Sequence, residues 1–205
     1  VVVYFLLYHN KAALQRLGPK GDGDWMEQIE AKRILQRKRD KSWFGSSYNV
    51  NLYRGCPHGC IYCDSRSACY GVEDFARVRV KKDALPRLRQ ELAACRESGV
   101  VATGSMSDPY NPLERRYGYT RGLLELLDPY RFGAAIATKG TLVERDIDLL
   151  QRISTHSPVI VKITVTTPHD ALSALVEPHA PLSSRRLAAL EALSKAGIFA
   201  GVLLM

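Results

Sequence analysis

Long apolar runs are scarce in this sequence. The longest opening run, Val1 to Tyr8, falls far short of the roughly 20 residues that a helix needs to cross a bilayer, so no transmembrane span is expected. A secretory leader is missing from the same stretch. Lysine or arginine should precede the apolar residues and small residues should follow them, whereas bare valines open the chain and lead into Lys11. Cysteine is sparse as well. Five cysteines in 205 residues are too few and too clustered for the disulfide scaffold of a small secreted protein, and they read as reduced thiols in the cytoplasm. An initiator methionine is lacking, and Gly201 to Met205 stops inside a pattern that reads as a buried strand, so both ends read as cut or misassigned. With 46% apolar and 24% charged residues, the composition excludes a disordered, collagenous or coiled-coil chain and fits roughly one domain with its own core.

What the chain has in excess is positive charge. Lysine and arginine exceed aspartate and glutamate by eight, so any polyanion is attracted whether or not it is a substrate. The charge is concentrated early, with Lys32, Arg33, Arg37, Lys38, Arg39 and Lys41 set around Ile29, Ile34 and Leu35, as a short helix or an ordered arm over about Trp25 to Phe44. Gly18 to Asp24 reads as a turn-rich linker before it. Residues 1–45 are therefore expected to be an extension with a basic arm, and the body to occupy residues 46–205.

Within the body, β-rich apolar runs alternate with amphipathic stretches, the pattern of βα units around a parallel sheet. Strands are expected over Tyr48 to Tyr53, Val100 to Gly104, Phe132 to Thr138, Val159 to Thr166 and Ile198 to Leu204. Asp83 can cap a helix that buries Leu85, Leu88, Leu92 and Cys95 and stops at Gly99. Thr141 to Glu144 has the form of a capping box leading into Ile147, Leu150 and Ile153. Ser184 can open a further helix with Leu187, Leu190 and Leu193, ending at Gly197. The class is α/β. Periodicity fits an open doubly wound sheet and a (β/α) barrel equally, and both place ligands in the loops after the strands.

The first such loop holds the strongest signal in the chain. Gly55-Cys56-Pro-His-Gly-Cys60-Ile-Tyr62-Cys63-Asp64 sets three thiols at C-x3-C-x2-C spacing, which suits one metal centre. Zinc completed by His58, Asp64 or Cys69 is one such centre. An iron–sulfur cluster with one iron lacking a protein ligand is the other. The loop, with Tyr62 as the aromatic before the last cysteine, resembles the cluster loop of the radical S-adenosylmethionine superfamily. Asn51-Leu-Tyr-Arg-Gly-Cys56, Gly104-Ser-Met-Ser-Asp-Pro-Tyr110, Thr138-Lys139 and Glu177-Pro178 narrow the resemblance to its branch related to spore photoproduct lyase, over roughly three-quarters of the chain.

That resemblance implies a partial (β/α) barrel, here expected to be truncated after the fifth strand. It implies a [4Fe-4S] cluster on Cys56, Cys60 and Cys63 whose open iron binds S-adenosylmethionine. The expected reaction is reductive cleavage of S-adenosylmethionine to a 5′-deoxyadenosyl radical that abstracts hydrogen from an unidentified substrate. A one-electron donor of flavodoxin or ferredoxin type is implied as partner. Tyr62 is implied near the adenine, Ser105, Ser107 and Asp108 near the amino group, Lys139 at the carboxylate, and Thr164 and Thr166 at the ribose or carboxylate. Two alternatives stand beside this reading: a lyase of pyrimidine-dimer lesions in DNA, and a non-catalytic zinc or iron–sulfur module that binds nucleic acid. Ser105 counts against the lyase. It stands where the branch's namesake carries a cysteine that returns hydrogen to the product, and a serine O–H bond is too strong for that task. Cys60→Ala is expected to abolish the cluster, whereas Cys95→Ala, on an apolar helix face, should cost only the stability of a small core truncation. Iron and sulfide content of the two purified variants checks this.

Overall fold

The computed structural model describes residues 26–40 and 45–205; the apolar opening, the Gly18 to Asp24 linker and Lys41 to Phe44 lie outside the described residues. In chain order the strands are β1 (Gln28–Ile29), β2 (Gln36–Arg37), β3 (Tyr48–Asn49), β4 (Tyr53–Arg54), β5 (Arg79–Lys81), β6 (Val100–Thr103), β7 (Gly133–Thr138), β8 (Val159–Val165) and β9 (Ala200–Leu204). The α-helices are α1 (Ala84–Ala93), α2 (Glu114–Tyr117), α3 (Tyr119–Leu127), α4 (Ile147–Ser154), α5 (Asp170–Val176) and α6 (Ser183–Lys195).

The main sheet runs β2-β3-β6-β7-β8-β9, with every neighbouring pair parallel except the antiparallel β2 and β3. Four of the five expected strands are present as single elements. The expected strand from Tyr48 to Tyr53 is divided. Its first part pairs with β6, Val50 extends that pairing by donating to Ala102 O at 2.8 Å, and the chain then leaves to join β5 in a small sheet of order β1-β5-β4.

Alternation along β7 and β8 separates two environments. Ala134 and Ile136 of β7, and Val159, Val161, Ile163 and Val165 of β8, join one apolar core with Leu88, Leu92, Leu124, Leu150, Ile153 and Leu193 from the helices. The opposite face carries Ala135, Ala137 and Thr164 instead, small or polar residues that leave space. A doubly wound sheet would cover both faces with helices. Here the helical core packs on one face and the other lines a cavity, as in part of a barrel.

Helix starts differ from the sequence expectation. Asp83 precedes α1 with φ of 50° and makes no side-chain cap. Thr141 to Asp146 forms a 3-10 helix before α4, so the expected capping box is not made. At α6 the cap comes from elsewhere: the Asp170 carboxylate accepts from Ser184 N–H at 2.8 Å and Ser184 Oγ at 2.6 Å, joining α5 to α6. Gly197 ends that helix with φ of +77°, as expected.

The basic arm is not helical where it is described. β1 pairs with β5 and β2 with β3, while Ile34 and Leu35 are buried in the main core and their N–H groups donate to the Glu91 carboxylate on α1. Ile34 and Leu35 thus pack in the same core as residues that follow position 46. Ile29, Ile34 and Leu35 do not recur at a spacing of three or four residues, so this stretch has no continuous apolar stripe for a helix to bury.

Ile163 is fully buried in β8, so Ile163→Ala should lower the unfolding free energy by about 2–5 kcal/mol. Leu204, 80% exposed on β9, should tolerate alanine within about 0.5 kcal/mol. Urea denaturation followed by circular dichroism checks the pair.

Candidate active site

The cysteine loop leaves β4 at Gly55 and is tied down at three points. Cys56 N–H donates to Phe75 O at 2.7 Å, Ile61 N–H to Val176 O at 2.9 Å, and His179 N–H to His58 O at 3.0 Å. Gly55 has φ of +90°, and a Cβ there would lie 2.6 Å from Arg77 O, so the tight exit from β4 requires glycine. The next exit has the same requirement. Gly104 follows β6 with φ of +96°, and its Cβ would meet Ala137 O of β7 at 1.9 Å.

These constraints place Cys56, Cys60 and Cys63 in the wall of one cavity of about 340 Å³ at the carboxyl ends of the strands. Ser105, Met106, Ser107 and Asp108 after β6, Lys139 after β7 and Thr164 on β8 line the same cavity, with Tyr62 from the loop. All three loop cysteines are free thiols. Burial, reinforced by the charge of Asp108, pushes the Cys56 thiol up to about 12, and burial likewise raises Cys60 against the opposing influence of Lys139. A coordinating metal removes such protons outright.

Two buried carboxylates organise this cavity, and neither is free. Asp108 accepts from Lys139 N–H at 2.7 Å, Tyr110 N–H at 2.9 Å and the Thr138 hydroxyl, and its Oδ2 lies 3.4 Å from His58 Nδ1. It thereby joins the exits of β6 and β7 to the cysteine loop. The expected contact of Asp108 with a cofactor amino group thus competes with four groups of the chain itself. His58, 2% exposed, faces Asp108 rather than solvent. Burial, aided by Lys139 and Arg186 and opposed by Asp108, holds its pKa below the usual histidine value, so the imidazole is neutral near pH 7.

Glu177 is the second carboxylate. Its Oε1 accepts from the Tyr62 hydroxyl and from Thr166 Oγ1 at 2.7 Å, and lies 3.8 Å from Lys139 Nζ. Its Oε2 pairs with Arg186, which is itself fully buried and also donates to Thr164 O at 2.9 Å, Ser173 Oγ at 3.0 Å and Pro181 O at 2.6 Å. Burial alone would raise the Glu177 pKa, but the hydrogen bonds from Arg186, Tyr62 and Thr166 reverse that and lower it. The Lys139 ammonium sits 5.5 Å from the Tyr62 ring centroid, a cation–π contact.

Most of the residues singled out from sequence meet at this cavity. Thr166 does not line it: β8 ends at Val165, so the alternation that carries Thr164 inward stops one residue short, and Thr166 braces Glu177 instead. Arg186 and the closing of Glu177 onto Tyr62 carry no sequence expectation. Arg186 lies beside Leu187 in a helix whose apolar spacing points to a different face. Of the residues that could complete a zinc site, His58 faces Asp108, Asp64 accepts from Tyr70 OH at 2.9 Å, and Cys69 Sγ lies 2.9 Å from Ser67 Oγ. Among the described residues no three His, Cys, Asp or Glu side chains converge as ligands of a single ion. A cubane cluster asks for no such convergence, because each of its thiolates holds a different iron, and the three free thiols on one pinned loop fit it.

Glu177→Gln should lower stability near pH 7 by about 3–5 kcal/mol, because it leaves the buried Arg186 charge uncompensated. The lowered pKa stabilises the fold above the ordinary carboxylate value of 4.5, and that contribution is lost as pH falls further, so the gap between parent and variant should shrink below it. Urea titrations at a series of pH values check both statements.

Comparison with known proteins agrees with this geometry. The family model described as the radical SAM superfamily matches residues 50–205. An uncharacterized protein of Mycobacterium tuberculosis is 32% identical over 201 residues, covering 90% of this chain, while this chain spans 58% of that protein's length. A cysteine-to-alanine mutant of spore photoproduct lyase superposes with a TM-score of 0.61 at 17% identity, over 86% of this chain and 50% of the other. A double mutant of the same lyase with bound AdoMet and dinucleoside spore photoproduct gives 0.58 at 16% identity, over 90% and 56%. These superpositions show the fold, a partial barrel. Enzymes of the matching family use a [4Fe-4S] cluster and S-adenosylmethionine, and with its three-cysteine loop, its parallel strands and its family match, this chain belongs to the radical SAM superfamily.

Proposed function

We propose that this chain carries the catalytic barrel of an enzyme that cleaves S-adenosylmethionine reductively and uses the product to abstract hydrogen from a substrate. The observation that carries the proposal is the meeting of three free loop thiols, a cation and hydroxyl groups in one cavity at the strand ends. When bound, the cluster supplies the electron that breaks a C–S bond of S-adenosylmethionine. Cys56, Cys60 and Cys63 would hold the cluster, leaving one iron for the amino and carboxylate groups of S-adenosylmethionine.

The chain's own residues supply position and charge. Lys139 is held by its N–H to Asp108 and by its ammonium near Glu177, so it can meet a carboxylate in the cavity at little cost in side-chain freedom. Because Glu177 is already neutralised by Arg186, the positive charge of Lys139 is left over for an incoming anion. The Tyr62 hydroxyl is fixed by Glu177 and Thr166, which orients its ring in the cavity wall as a surface for an adenine. Ser105, Ser107 and Thr164 offer hydroxyls nearby. A one-electron donor of flavodoxin or ferredoxin type is the partner this chemistry requires, and reduced thiols suit the cytoplasm.

The finer reading, a lyase of DNA lesions, has less support. Ser105 lines the cavity, and the resemblance puts this serine, rather than a cysteine, where the hydrogen donor is expected; Cys69, the remaining thiol of that region, is not in the cavity lining.

Anaerobic reconstitution with iron and sulfide should give a reduced [4Fe-4S] signal in electron paramagnetic resonance that changes shape on adding S-adenosylmethionine, and dithionite should then yield 5′-deoxyadenosine. A tightly held zinc with no cluster overturns the reading. Lys139→Ala should weaken S-adenosylmethionine binding by about tenfold at unchanged iron content, as loss of one charge-assisted contact implies. Loss of iron in that variant would instead make Lys139 a folding residue.

A further inference from the structure

A second cavity, of about 460 Å³, adjoins the first and is claimed by none of the chemistry above. Tyr70, Met106 and Ser107 line both cavities, so the two share a wall. Its outer side is the arm between β1 and β2, and its inner side is the small sheet. Four cations line it: Lys32 and Arg33 from the arm, Arg54 from β4 and Lys81 from β5. Among the described residues none of the four is ion-paired, and Arg54 donates only to the neutral Gly71 O at 3.0 Å. The one acid in the lining, Glu30, is already 3.2 Å from Lys82. Burial lowers the Lys81 pKa against the opposing charge of Glu91, the behaviour of an ammonium kept partly from water.

The rest of the lining mixes apolar and aromatic side chains with the polar Gln36, Asn51 and Ser107. Tyr70 is 40% exposed, and Phe75 and Val72 stand with it. Asn51 is also in the wall, and its buried Oδ1 lacks a donor among the described residues, which leaves an acceptor for a ligand N–H or O–H. The volume is that of a small-molecule site. We propose that this cavity is a binding subsite for an organic phosphate, with the phosphate among Lys32, Arg33, Arg54 and Lys81 and a planar group against Tyr70. Its use as the anchor of the radical enzyme's substrate rests on the function proposed above; the binding itself does not.

The test titrates the anaerobically reconstituted chain with pyrophosphate, uridine monophosphate and a short single-stranded uridylate oligonucleotide, in the presence of S-adenosylmethionine. Net charge is the competing explanation, so two charge-matched variants are compared. Arg33→Glu with Arg54→Glu alters the cavity, and Arg89→Glu with Lys195→Glu alters exposed helix positions; each reversal changes the charge by two, so both lower it from +8 to +4. The cavity variant should raise Kd for every probe by about tenfold or more, and the helix variant by about twofold or less. Tyr70→Ala should weaken the uridylates but not pyrophosphate. Binding of the mononucleotide supports a free nucleotide as the source, and binding of the oligonucleotide alone supports a strand. Equal losses in the two charge variants, or no binding of any probe, overturns the proposal. Release of 5′-deoxyadenosine is measured on the same samples: its absence with intact phosphate binding counts against the radical function alone, and its presence without phosphate binding against this subsite alone.

Discussion

A carboxylate cannot be taken out of water without a partner, and Glu177 is out of water at the centre of this molecule. Its partner, Arg186, is equally buried, and between them the two side chains engage six other groups from separate parts of the chain. Tyr62 comes from the cysteine loop, Thr166 from the end of β8, Ser173 from α5, Lys139 from the exit of β7, and Pro181 and Thr164 through their carbonyls. Ion pairs of this kind add little net stability compared with an apolar pair of equal volume, because desolvation offsets the attraction. This arrangement satisfies the buried donors and acceptors named above, and it closes the cysteine loop against the strand ends.

Asp108 performs the matching task on the other wall. Together the two carboxylates hold Lys139 from both ends, Asp108 by its backbone and Glu177 by its ammonium. The electrostatic outcome differs between them. Glu177 is balanced by Arg186, whereas Asp108 accepts from two N–H groups and a hydroxyl and faces the His58 imidazole, with Cys56 nearby. The cavity thus has the Lys139 cation in one wall and, in another, a carboxylate already held by four groups of the chain itself.

The parts of this arrangement that could be read from sequence are those encoded locally. β6, β7, β8 and β9 follow from short apolar runs, and the proposed metal centre rests on three cysteines within eight positions. The unread parts depend on groups far apart in the chain. Tyr62 and Glu177 are separated by 115 residues, and nothing near either predicts the other. Arg186 was hidden by its own helix: Leu187, Leu190 and Leu193 suggest one buried face, but the face actually buried is Ser183, Arg186, Ala189 and Leu193. An arginine in that stripe is tolerated only because a carboxylate waits for it. The division of the first strand after Asn49 was equally invisible, since Val50 and Leu52 are apolar enough to continue either sheet.

The same spacing logic explains why the cavity exists at all. Along β7 every residue is buried, and a strand buried on both faces ordinarily fills both with large aliphatic side chains. Here the inward positions are Ala135 and Ala137, and the exit of β6 passes so close to Ala137 O that only glycine fits at position 104. Small residues on the inward face forgo packing contacts that a larger side chain would make. The deficit is confined to the strand ends, where Thr164, Lys139 and the cysteines face the space left open, while the outward face keeps Ile136, Val161 and Ile163 in a dense core. Stability is therefore concentrated on the helical side of the sheet, which leaves the inward side free to be shaped by the requirements of a ligand.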